Sequence, residues 1–170
     1  MAQDPKAKMV MARYNSLKGQ RSTWEDHWQE LADYFLPRKA NITDKHTPGD
    51  KRHDLVFDGT ATHALELLAS SLNGMLTNTI SPWFVLKFRN QMVGDNDAAN
   101  EWLESCAKIM QQVFARSNFQ QEIFELYHEL LCFGTSAMFI TDDVQDDLRF
   151  KTLHISEIFI TEDSKGMVDS

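Results

Sequence analysis

Three residues able to do chemistry, His128, Glu129 and Cys132, stand close together on one helical pattern. Positions i and i+4 share a helix face, so His128 and Cys132 would point the same way, and a histidine followed by glutamate opens the helical zinc-protease motif. The second histidine of that motif is missing, and the segment is strongly apolar. The pattern therefore favours a core helix with one tolerated histidine over a zinc site.

Two other groups resemble metal sites in composition only. Four side chains share one polar stretch without a typical ligand spacing: His46, Asp50, His53 and Asp54. The aspartates between Asp142 and Asp147 lack the glycine and the terminal glutamate of a calcium loop, so they indicate a solvated turn. The glycines are scattered, and no serine lies in a nucleophile elbow. We expect no enzyme, no metal and no cofactor; a metal-dependent hydrolase using His128 or the loop histidines is the weakest alternative.

The basic side chains are concentrated between residues 37 and 54, in a chain whose formal net charge is −8. The candidate contact residues are the five cations of this stretch: Arg38, Lys39, Lys45, Lys51 and Arg52. Residues 55 to 170 hold seven basic and seventeen acidic side chains, which argues against a sequence-reading nucleic-acid binder. Clustered cations suit DNA phosphates or an acidic neighbouring subunit, and a merely soluble loop is the third reading.

Apolar spacing and capping residues predict four to five helices. The predicted segments are Pro5 to Gly19, Ser22 (opening the capping box STWE) to Pro37, Thr60 to Asn78, a helix capped by Asn96 or Asp97, and one that Asn118 caps and that Gly134 ends in a left-handed C-cap. The Thr60 helix is apolar around so much of its circumference that we expect other parts of the protein to surround it.

The aromatic residues and cysteines are expected in the core. The second helix carries an apolar line of Trp24, Trp28, Leu31 and Phe35, and the fourth a line of Trp102, Cys106, Ile109 and Val113. Trp83 lies in a short apolar run of its own. Each tryptophan stands on a patterned face, so burial is favoured over partner docking. Cys106 and Cys132 are expected to be buried free thiols.

Strand patterns are few and short. The run Trp83 to Phe88 predicts one strand between helices, and three more are predicted near the end: Ser136 to Thr141, Leu148 to Ile155 and Glu157 to Ile160. The fold class is therefore α+β, mainly helical, with a small antiparallel sheet at the C-terminal end. We divide the chain into an N-terminal helical pair (1–36), the basic loop (37–54) and a helical and β part (55–170). No apolar run approaches the roughly 18 residues of a membrane span.

Several segments together resemble the head-to-tail connector (portal) proteins of short-tailed, podovirus-type bacteriophages. The segments are ELADYFLPRK (residues 30–39), VFDGTATHALELLASSLNGMLTNTISPWFVL (56–86), HELLCFGTSAMFI (128–140) and ISEIFITEDSKGMVD (155–169). Their order and spacing carry the resemblance, above all the aromatic-proline junction that follows the small-residue helix.

The resemblance implies a structural subunit of a ring, typically of twelve copies, at one capsid vertex in the virion. Such rings are assembled in the host bacterial cytoplasm, with capsid protein, terminase and tail adaptor proteins as partners and double-stranded DNA passing through the channel. Members of this family are several times longer, so the chain is expected to be an N-terminal fragment from the wing region. The alternative is a small cytoplasmic helical adaptor or regulatory protein with a basic interaction loop.

Overall fold

The structure, a computed structural model, describes residues 5–44, 47, 49, 56, 58–89, 96–144 and 147–168. The chain divides into two compact units. The first contains Met1–Leu65, Glu129–Ala137 and Leu153–Ser170; the second contains Glu66–His128 and Met138–Thr152. The described α-helices are α1 (Pro5–Phe35), α2 (Thr60–Leu76), α3 (Asp97–Arg116) and α4 (Phe119–Phe133), and the strands are β1 (Ala137–Asp143) and β2 (Asp147–Leu153).

Helix α1 is a single helix of 31 residues, so the prediction of two helices separated at Gly19 is wrong. A glycine inside a helix costs only about 1 kcal/mol, which neighbouring contacts offset. Ser22 does not form the predicted cap: its hydroxyl donates to the carbonyl of Gly19 at 2.8 Å, three residues back along the same helix. Pro37 does end the helix, as predicted, and opens a short 3-10 turn, Pro37–Lys39.

The core of the first unit is built where α1 meets the segments around Cys132 and Ile155. Its buried members are Ala32, Ala40, Leu65, Cys132, Phe133 and Ile155. Trp28, Leu31 and Phe35 pack against them, which confirms most of the predicted apolar line. Trp24 is an exception, because 57% of it is exposed and its ring stacks on Trp28 instead.

In the second unit, α3 begins as predicted but buries a different face. The Asn96 side chain accepts hydrogen bonds from the amides of Ala98 and Ala99, which confirms the cap. The buried residues are Leu103 and Ala107, one position along from the predicted line. Trp102 and Ile109 are 61% and 60% exposed, so placing them in the core was wrong.

The run Trp83 to Phe88 is not a strand. Trp83 and Phe84 instead join the rings at the end of α3 and the start of α4. Trp83 lies parallel to Phe119, with ring centroids 5.8 Å apart, and Phe84 meets Phe114 edge to face at 6.0 Å. Aromatic residues suit a strand and a ring cluster equally well, and in this segment they form the ring cluster. Trp83 itself remains 38% exposed, less buried than predicted.

The predicted C-terminal sheet is confirmed as an antiparallel pair, β1 and β2. The acidic turn is shorter than predicted, since Asp142 and Asp143 belong to β1. Asn118 does not cap α4 with its side chain. Its amide pairs instead with the backbone of Phe150, donating to the carbonyl at 2.8 Å and accepting from the N–H at 2.9 Å.

Two features near the ends of α4 and β2 complete the first unit. Gly134 ends α4 with φ +75° and donates its N–H to the carbonyl of Leu130 at 2.9 Å, the left-handed cap that was predicted. The segment Glu157 to Ile160 was predicted as a strand and is not one; a 3-10 turn, Ile155–Glu157, leads into it. The carbonyl of Ile158 in this segment binds the Arg21 side chain of α1, as described below.

The α+β, mainly helical class predicted from the sequence is confirmed. Cys106 and Cys132 are free, as predicted; Cys132 is buried and Cys106 half-buried. None of the described helices combines the length and the apolar character needed to cross a membrane.

Candidate functional site

The basic loop of residues 37–54, called the basic segment from here on, is held at its beginning by Gln29 of α1. The Gln29 carbonyl oxygen accepts N–H bonds from Ile42 and Thr43, both at 2.9 Å, and from Asp44 at 3.4 Å. Its amide nitrogen donates to the carbonyl of Ala40 at 3.3 Å. Gln29 is buried, so these bonds form away from solvent. We call residues Lys39–Asp44 the root of the basic segment.

Lys39 and the chain beside it are bound by two further side chains of the first unit. The Lys39 ammonium lies 3.3 Å from Oε1 of Glu129, a carboxylate that is only 1% exposed. The Lys39 carbonyl accepts a hydrogen bond from Nε2 of His154 at 2.8 Å, while Nδ1 of that ring accepts from the N–H of Ser156 at 3.1 Å. These two contacts fix the neutral tautomer that carries its proton on Nε2.

The predicted contact residues fall into two groups. Arg38 is exposed and Lys39 is half-buried, and both have partners within the chain. Lys45, Lys51 and Arg52 lie outside the described residues, as do His46, Asp50, His53 and Asp54. The proposed contacts of the basic segment with DNA or a neighbouring subunit therefore stay a prediction, and the structure adds the geometry of the root.

Arg21 of α1 binds the segment that follows β2. Its Nη1 donates to the carbonyls of Ile155, Ser156 and Ile158 at 3.3, 3.1 and 2.8 Å. Its guanidinium also pairs with Glu25 at 2.8 Å and lies over the ring of Phe159, 4.1 Å from the centroid. The Arg21 side chain borders an open cleft of about 1170 Å³, which is lined mainly by apolar side chains of the same unit.

The residues with catalytic potential on α4 are used for structure. His128 is buried; its Nδ1 lies 3.0 Å from the carbonyl of Phe124, and its Nε2 lies 2.8 Å from Oε2 of Glu66. Burial, together with the charge of Glu129, raises the pKa of the Cys132 thiol to about 12, which disfavours the nucleophilic thiolate. In the described part of the chain, no three histidine, cysteine, aspartate or glutamate side chains gather as a metal site.

Exposed apolar side chains form a continuous face on α2. Leu67, Leu68 and Met75 are 62%, 51% and 80% exposed, and Ala64 and Ser71 are exposed between them at helical spacing. The other side of the helix buries Leu65 and Ala69. An ordered row of this kind differs from scattered surface leucines and is typical of a surface that other protein covers. We call these five exposed residues the α2 face.

Sequence reasoning missed Arg21, Gln29 and His154. Gln29 carried a usable signal, since a polar residue beside the apolar positions of α1 must find hydrogen bonds if it is buried. Arg21 carried none, because its acceptors are backbone carbonyls that lie 134 to 137 residues further along the chain.

The chain matches known proteins along its whole length. The family model described as bacteriophage head to tail connecting protein matches residues 7–170. The "Probable portal protein" of Bordetella phage BPP-1 is 31% identical over 172 residues, and the "Portal protein" of Salmonella phage epsilon15 is 30% identical over 171 residues. Each alignment covers 100% of this chain and 31% of the relative, so the chain spans about a third of their length. The chain belongs to the bacteriophage head to tail connecting protein family.

Proposed function

We propose that the chain is part of a portal protein, a structural subunit of a ring at one vertex of a phage capsid. In this role the ring, expected to hold twelve copies, is a conduit for DNA during packaging and ejection. It also seats the terminase and the tail adaptor proteins. The family match over residues 7–170 is the observation that carries the proposal.

The exposed apolar surface of the chain supports an assembling subunit. The α2 face presents three large apolar side chains to solvent, and α3 presents Trp102 and Ile109. Exposed tryptophan and aliphatic rows are enriched where proteins meet partners. If other protein surrounds the subunit in the particle, such faces are buried there and are exposed only in the single chain.

The basic segment supplies the polar contact in this proposal. Its cations would meet the acidic surface of a neighbouring subunit or DNA phosphates, since most of the carboxylates of the chain lie after residue 54. Because the net charge is −8, most of the surface would repel passing DNA, as suits the wall of a channel.

Imaging the gene product tests the proposal. Negative-stain particle images are expected to show rings with a central hole.

The charge reversal Arg52→Glu is expected to reduce ring formation or DNA packaging while the subunit still folds. Lys108→Glu, an exposed charge reversal on α3, is the matched control and should assemble normally. A solitary gene product that is absent from purified phage particles would reject the portal assignment, whereas normal assembly and packaging of Arg52→Glu would reject only the role of the basic segment.

A further inference from the structure

The root of the basic segment is bound more completely than a surface loop needs to be. Side chains from three separate parts of the first unit converge on it: Gln29 from α1, Glu129 from α4 and His154 after β2. Connecting loops are ordinarily held by their own turns and by solvent. Here the polar groups of the root are satisfied by distant side chains that are themselves buried or half-buried.

Gln29 makes the most specific of these contacts. One amide oxygen receives the N–H groups of three consecutive residues, Ile42 to Asp44, and the amide nitrogen of the same side chain binds Ala40 and Asp33. The chain can satisfy all these bonds only if residues 40 to 44 curl around the end of the Gln29 side chain. The backbone path from Ala40 to Asp44 is thereby fixed relative to α1.

The contacts of Glu129 and His154 fix the preceding residue. Glu129 is almost fully buried, and one of its oxygens lies by the Lys39 ammonium; His154 binds the carbonyl of the same lysine. The His154 ring also packs near Phe133, with centroids 5.6 Å apart, which holds the ring in place. A buried carboxylate is costly to leave without a cation, so this pair resists movement of Lys39 away from α4.

We propose that Gln29, Glu129 and His154 form a polar latch that positions the basic segment for its partner. The latch fixes the backbone of residues 39 to 44, which directly precede the remaining cations of the basic segment in the sequence. The inference rests on the proposed function of the basic segment and adds three positioning residues to it. All three act through the root: Gln29 and His154 bind its backbone, and Glu129 binds the Lys39 ammonium.

The test compares Gln29→Ala with Gln20→Ala, an exposed glutamine on the same helix, in the complete gene product. Hydrogen exchange of the amides of residues 42 to 44 is expected to accelerate about tenfold in Gln29→Ala, the equivalent of one lost hydrogen bond, while the amides of α1 keep their protection. Ring formation or packaging should fall as it does in Arg52→Glu. Gln20→Ala should match the native protein in both measurements.

The outcomes separate the latch from the proposed function. Faster exchange with normal assembly in Gln29→Ala, alongside impaired assembly of Arg52→Glu, overturns the latch and leaves the role of the basic segment standing. Normal assembly of both variants overturns that role and the latch with it. Unchanged exchange overturns the latch whatever the assembly result. If Gln29→Ala fails to fold, His154→Phe serves in its place for the assembly measurement, because it keeps a ring beside Phe133 and removes the bond to Lys39.

Discussion

At the scale of single residues, long-range polar contacts decide the local structure of the first unit. Arg21 binds three backbone carbonyls, a carboxylate and an aromatic face at once, and so ties α1 to the chain that follows β2. A guanidinium can do this because its donors form a planar fork and its face stacks on rings. Of these carbonyls, that of Ile158 lies in the segment 157–160, where the predicted strand is absent. No local pattern in those residues reveals an arginine located far earlier in the chain.

Cys132 provides a test of burial at the residue scale. Its pKa is raised to about 12, first by burial and then by the charge of Glu129, so at about pH 8 only about one thiol in ten thousand is ionised. Its Sγ also lies 3.9 Å from the carbonyl of Leu31. We expect Ellman's reagent to leave Cys132 unmodified in the folded protein at about pH 8. The half-buried Cys106 should react first, and denaturant should release the second thiol.

The variant Cys106→Ser serves as the control for this experiment. It should show almost no fast labelling in the folded state and one reactive thiol after unfolding. Because the neutral form of Cys132 is the favoured one, its labelling should increase only as the pH rises toward its pKa. Rapid labelling of the folded Cys106→Ser variant near neutral pH would contradict the burial of Cys132.

At the scale of elements, the sequence predicted the existence of helices better than their limits and faces. Helix ends that depend on local chemistry were predictable: the Asn96 cap, the stop at Pro37 and the left-handed Gly134. The break at Gly19 was wrong because a single glycine does not end a helix that tertiary contacts support. The prediction of the buried face of α3 was wrong because several sides of this helix carry apolar residues. Periodicity does not say which of these sides meets the protein interior.

The Trp83 segment gives the element-scale prediction. Trp83 stacks on Phe119 and Phe114, so truncating it would leave a gap in the ring cluster of the second unit. We expect Trp83→Ala to lower the free energy of unfolding by about 3 kcal/mol, within the range for large aromatic truncations. Urea unfolding followed by circular dichroism measures this change. The matched variant Trp102→Ala removes a tryptophan that is 61% exposed and should cost less than about 1 kcal/mol. Equal losses in the two variants would contradict the packing described for Trp83.

At the scale of the whole molecule, the fold class and the family were both readable from the sequence. The mixture of helical periods with a short C-terminal sheet predicted the α+β class, and four segments in order predicted the family. The sequence did not show in the same way which apolar side chains are exposed. Residues such as Leu68 and Met75 fit a core pattern, but they are exposed in the part of the chain that the structure describes. Periodicity identifies an apolar face without saying whether the same chain or another one covers it.

The α2 face therefore carries the last prediction. Under the proposed ring assembly, this face is covered by other protein in the finished particle, so a buried charge there would oppose assembly. Leu68→Glu is expected to abolish or strongly reduce ring formation, as measured by size-exclusion chromatography and particle images of the gene product. The subunit should keep its helical circular dichroism, because Leu68 is 51% exposed within the chain. Ser70→Glu places the same charge on a different, exposed side of α2 and should assemble normally. Rings formed by Leu68→Glu in native yield would show that the face stays in solvent, and the apolar row would then need another explanation.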